Sequence, residues 1–206
     1  MESLQTCRQN GILIGVSTSR CEQNSLKYIS KLNPDILIAS GGAVVKRGSE
    51  YIYTAEMSVE ETQSMIATTR KILGEDCEIS VDMIDTNYWN YKVDPRIADQ
   101  NWGDSVYSDF VDFPEPALKF CAEIFEDEKA MELKEAFPNC DCARFSDGYW
   151  YKFTKAGVTK ESAIQFMCAS CGIALENVIA FGDDYADIGM LKLCGGVLLW
   201  EMRLMK

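Results

Sequence analysis

Short apolar runs recur along the chain, and each gives way to small or polar residues. Residues 12–16, 36–39 and 178–181 have the length and content of buried strands. The first runs into Ser17, Thr18, Ser19 and Arg20, the second into Ser40, Gly41 and Gly42, and the third into Gly182 and Asp183. Between them the apolar positions change to helical spacing. Leu26, Ile29 and Leu32 mark one helix; Ile164, Met167, Cys168 and Cys171 another; Ile188, Met190 and Leu191 a third. Residues 2–10 read as a short helix stopped at Gly11. Strands alternating with helices predict a parallel sheet with crossover connections, an α/β fold.

From Val44 the pattern changes. Val44 and Val45, a turn at residues 46–49, and Tyr51 to Tyr53 predict a hairpin. Ser58 and Glu61 have the spacing of a capping box for a helix through Leu73, closed by Gly74. A strand follows at residues 78–84, then an aromatic, irregular stretch at 87–116. Next come a strand at 117–125, a charged helix at 127–137, and strands at 140–145 and 149–153. This middle portion reads as an α+β domain at residues 47–149, inserted between two pieces of core at 1–46 and 150–206. Neither internal repeats nor low-complexity segments are visible.

Composition narrows the chemistry. The 206 residues carry a formal charge of -12 and a pI near 4.5, which argues against charge-driven binding of nucleic acid or anionic membranes. No apolar run approaches the roughly 20 residues of a membrane span. The opening residues lack a signal peptide's apolar core, so the protein reads as cytoplasmic. Nine cysteines then read as reduced thiols. Cys168 and Cys171 fit helix packing. Cys140 and Cys142 share a strand face, with zinc a weak alternative because structural sites close four ligands. With no histidine in the chain, every mechanism that needs an imidazole is excluded.

Three clusters remain as candidate chemistry. Asp183 and Asp187, four residues apart past a strand end, suit a hard cation such as Mg²⁺, or equally an acidic helix start. Thr18, Ser19 and Arg20 can hold a phosphate or cap the following helix. Thr159 is a candidate N-cap. It places Lys160 in a first turn, where the dipole disfavours a cation, so Lys160 is either a working group or a solvated one.

Together these stretches resemble the haloacid dehalogenase-like hydrolases, in their Cof-type sugar-phosphatase branch with a large cap inserted in a Rossmann-like core. The family's Thr-Gly-Arg turn corresponds to Thr18, Ser19 and Arg20, and its Gly-Val-Ser-Lys-Gly motif to residues 157–161. Its Phe-Gly-Asp-Gly-x-Asn-Asp motif begins at Phe181, with Asp183 and Asp187 matched and Ala186 in place of asparagine. The Ser-Asn-Gly-Ala turn appears as Ser40, Gly41, Gly42 and Ala43.

The resemblance implies Mg²⁺-dependent hydrolysis of a small phosphorylated metabolite through an aspartyl-phosphate. Thr18, Ser19, Arg20, Gly41, Gly42 and Lys160 would bind substrate. Thr18 and Lys160 would also act in catalysis, and Asp183 with Asp187 would hold the metal. The family's nucleophile motif, Asp-x-Asp-Gly-Thr on a central strand, has no counterpart, and the carboxyl end is short. The expectation is therefore a truncated, inactive chain, the alternative a non-catalytic binding or regulatory protein. A sheet missing its middle strand favours self-association. The family's cap selects the substrate, and Tyr88, Trp89, Asn90, Tyr91 and Trp102 suit stacking on a sugar or base as well as they suit packing.

Overall fold

A computed structural model describes residues 2–98, 105–146 and 148–199; Trp102 and Trp200 lie outside them. The chain opens with α1 (Glu2–Gln9), β1 (Gly15–Ser17), α2 (Glu22–Leu32), β2 (Ile36–Ala39), β3 (Val44–Arg47) and β4 (Glu50–Thr54). Then come α3 (Val59–Leu73), β5 (Ile79–Asp82), β6 (Asn87–Trp89), α4 (Pro95–Ala98), β7 (Val106–Tyr107), β8 (Lys119–Glu123), α5 (Asp127–Ala136), β9 (Cys140–Arg144) and β10 (Trp150–Lys155). It closes with α6 (Lys160–Cys171), β11 (Ile179–Gly182), α7 (Ile188–Leu193) and β12 (Gly196–Leu199).

The four-stranded sheet runs β1-β2-β3-β4, parallel between β1 and β2 and antiparallel through the hairpin. Leu37 and Ala39 on one face of β2 pack against Ile29 of α2, while Ile38 on the other meets Ala163 and Met167 of α6. Helices on both faces make this the α/β core that the alternating pattern predicts. The parallel pair β11-β12 forms a separate sheet with α7 beneath it. Among the described residues β1 pairs only with β2 and β11 only with β12.

The six-stranded sheet β7-β6-β5-β8-β10-β9 is the inserted unit. One face carries Ile79, Val81, Phe120, Ala122 and Phe153, covered by Met65 and Ile66 of α3 and by Ala130 and Leu133 of α5. The alternate positions Ser80, Asp82, Lys119, Lys152 and Thr154 belong to the opposite face, and all are buried polar groups. The Ser58 hydroxyl and the Glu61 carboxylate exchange hydrogen bonds with each other's backbone, as the capping box predicts.

Several expectations shift. β4 joins the first sheet and all of β10 the second, so the sheets change over near residues 55 and 156, not at the 46/47 and 149/150 junctions. The strand expected at residues 12–16 begins only at Gly15. Ile12 and Leu13 are exposed, because apolar content alone does not make a strand where one edge has no partner. The stretch read as irregular contains β6, α4 and β7.

Candidate active site

Thr18 sits at the carboxyl end of β1, with its amide bonded to the Ile38 carbonyl at 2.9 Å and its own carbonyl accepting from Gly41 N at 3.0 Å. Its hydroxyl oxygen accepts from Arg20 N at 3.1 Å, which leaves the hydroxyl proton available to a ligand oxygen. Arg20 receives Ser40 N on its carbonyl at 2.8 Å. The turns after β1 and β2 are thereby tied together. Ser40, Gly41 and Gly42 all take positive φ, at 48°, 71° and 114°. A side chain at Gly42 would collide with the Thr159 carbonyl, and one at Gly41 would stand 3.0 Å from Lys152 Nζ. Glycine is required here for close approach as well as for backbone angle.

The close approach at Gly42 brings in the next residue, Lys160. Thr159 caps α6 reciprocally with Ser162. Lys160, placed against the helix dipole, is buried and donates to Asp187 Oδ1 at 2.6 Å. Asp187 Oδ2 in turn accepts the amides of Asp183 and Asp184, each at 3.2 Å. Both Asp187 oxygens are therefore engaged in holding the turn and the lysine. The Asp183 carboxylate is exposed and accepts no hydrogen bond among the described residues. Asp184 Oδ2 accepts from Ser146 of the insert at 3.0 Å.

One rim thus collects Thr18, Ser19, Arg20, Gly41, Gly42, Lys160, Asp187 and Asp183 from four loops. The donor set suits Mg²⁺ only in a particular way. No group of three side chains able to ligate a metal exists among the described residues. An ion bound here would rest on the open Asp183 carboxylate and complete its shell with water and phosphoryl oxygens, an ordinary arrangement for Mg²⁺.

The polar face of the insert supplies what the sequence reading missed. Asp82, 2% exposed, accepts from Lys119 at 2.7 Å, Ser40 Oγ at 3.1 Å and Asn87 Nδ2 at 2.8 Å. Lys119 also donates to the Ser19 carbonyl at 2.6 Å. Burial pulls the Lys119 ammonium down, yet the Asp82 charge and its hydrogen bond carry it above its ordinary value. Asp82 forms a buried clasp between the insert and both rim turns. The available signal was a polar residue on one face of otherwise buried strands: 80 and 82, 119, 152 and 154.

Other side chains do ordinary packing. Trp89 is buried, donates to Ser105 and stacks with Tyr91 and Tyr107, while Tyr88 packs on Phe113. Cys168 lies in the core and Cys171 packs against α6's apolar cluster. Among the described residues no helix is long and apolar enough to cross a membrane.

A helix-flanked parallel sheet, interrupted by an α+β insert over its carboxyl edge, defines a Rossmann-like α/β protein. The chain belongs to the haloacid dehalogenase-like hydrolase family, whose model matches residues 1–197. A Haemophilus influenzae protein named "Putative phosphatase" is 27% identical over 201 residues, covering 90% of this chain and 72% of that one. Among solved structures, the HAD subclass IIB sugar phosphatase BT4131 aligns with a TM-score of 0.80 at 22% identity, over 96% of this chain and 77% of that one. SMU.1108c from Streptococcus mutans UA159 aligns with a TM-score of 0.80 at 17% identity, over 95% and 77%. At such identities the structural likeness speaks for the fold.

Proposed function

We propose that this chain holds the phosphoryl group of a small, sugar-phosphate-like metabolite together with Mg²⁺, and that it does not hydrolyse the ester as it stands. The observation that carries the reading is the unbroken run of contacts from Thr18 through Gly41 and Gly42 to Lys160, Asp187 and Asp183. The Thr18 hydroxyl donates to a phosphoryl oxygen, with Ser19 and Arg20 beside it. Lys160, fixed by Asp187, supplies a desolvated positive charge. Gly41 and Gly42 let the backbone approach closely, and the insert serves as the cap. Mg²⁺ on Asp183 would offset phosphoryl charge and fix its orientation.

Turnover needs an attacking group. The sequence contains no Asp-x-Asp-Gly-Thr, and in the described residues β1 and β11 each keep one edge without a strand partner. The same features, with Gly41 and Ala186 standing where the family motifs carry asparagine, favour a binding or regulatory role.

The test is titration calorimetry with inorganic phosphate and MgCl₂, alongside p-nitrophenyl phosphate turnover. Binding is expected to strengthen with Mg²⁺ and to disappear in Lys160→Met, with no turnover above buffer. Absence of phosphate binding refutes the site, and robust turnover abolished by Asp183→Ala refutes the inactivity.

A further inference from the structure

Among the described residues the rim and its roof hold three buried lysines, and two of them are paired with a carboxylate. Lys119 pairs with Asp82 at 2.7 Å and Lys160 with Asp187 at 2.6 Å. Lys152 is only 8% exposed, yet among the described residues its ammonium has neither a hydrogen bond nor an ion pair. Its ammonium stands over Gly41, 3.0 Å from where a Cβ there would lie. Lys152 comes from β10 in the insert, opposite Cys121 of β8 and on the same sheet face as Asp82 and Lys119. It therefore approaches the phosphate-facing turn from above, whereas Thr18 and Lys160 approach from the core.

A desolvated ammonium without a counter-charge is costly, and two neighbouring cations add to the cost. Burial, then Lys119 and Lys160, all push the Lys152 ammonium below its ordinary value. Cys121, and after it Glu161 from beyond ion-pair distance, act on it in the opposite sense. A lysine held in this position is suited to a negative charge brought by the ligand.

We infer that Lys152 recognises a second anionic group on the ligand, so that the preferred ligand class is a phosphate monoester whose organic part also carries a carboxylate or a further phosphoryl group. This rests on the phosphate-site reading above. The bound phosphoryl group is met by Thr18 and Lys160 on the core side; the insert-side cation faces the remainder of the molecule. An ammonium–anion hydrogen bond formed away from water is worth about 1.5–3 kcal/mol, roughly a tenfold or greater gain in affinity.

The experiment compares matched ligands by calorimetry on the full chain with MgCl₂. Phosphoglycolate is set against ethyl phosphate, and propane-1,3-diol bisphosphate against 3-hydroxypropyl phosphate. The first pair reads a carboxylate and the second a phosphoryl group. At least one doubly anionic ligand is expected to bind about tenfold more tightly than its neutral-tailed match. Lys152→Met is expected to bring each pair to within about twofold, and Lys152→Arg to keep the gain. Equal affinities within both wild-type pairs overturn the inference, as does a gain that persists in Lys152→Met. Inorganic phosphate has no second group, so it tests the underlying site separately. If it binds while the pairs do not differ, only this inference falls; if it fails to bind, both fall.

Discussion

The insert and the core are built from similar strands but meet their surroundings differently. In the insert, Phe120 and Phe153 are wholly buried under α3 and α5, and Phe137 packs edge-on against both. Its opposite face is polar but satisfied largely by internal partners. In the core, the apolar side chains of the β11–β12 pair lie open, with Ile179 64% and Phe181 67% exposed, and Val197 and Leu198 exposed beside them. Ile12 and Leu13, ahead of β1, are open as well. The insert has closed its hydrophobic core, whereas the core sheets retain apolar surface and free edges of the kind that invite another strand.

This contrast can be broken most directly in the insert. Phe153→Ala removes a fully buried ring from the closed core and is expected to cost about 3–5 kcal/mol, read by urea denaturation. A cost below about 1 kcal/mol would mean the insert is not the stable half.

A smaller effect is expected from pH. Burial pushes the Cys21 thiol up to about 12 and the Cys121 thiol up to about 11. Both are raised, so their contribution to stability is complete below the unfolded thiol's value, about 8.5–9, and is lost as pH rises towards the folded values. Each would remove at most about 1.4 kcal/mol per pH unit across that window. Urea unfolding at pH 8 and pH 10 in reductant measures the loss, and Cys121→Ala should reduce it.

The smallest stability change belongs to the open half. Phe181→Ser is expected to shift stability by less than about 0.5 kcal/mol, because the ring is already in water. Sedimentation velocity should show weaker self-association in that variant. A large stability loss would mean the β11 face is covered.

Much of this organisation was legible in residue order. α2, α3, α5 and α6 stand close to where apolar spacing and caps put them, because amphipathic spacing and capping are local properties. The rim was legible too: Thr18, Gly41, Gly42, Lys160, Asp183 and Asp187 occupy strand ends and a helix start, positions that alternation locates. The clasp of Asp82, Lys119 and Asn87 was not, since three strands contribute and only their register unites them. Nor was the pairing of Lys160 with Asp187, which settles why a lysine tolerates the start of α6. The start of β1 was misread because apolar content does not show whether a neighbouring strand is present.

Asp82 ties the insert and the rim turns to a common fate. One carboxylate restrains the ammonium that reaches Ser19 and the hydroxyl that shapes the bend at Ser40. Prising the insert away would therefore release a contact at each of the two rim turns in one event.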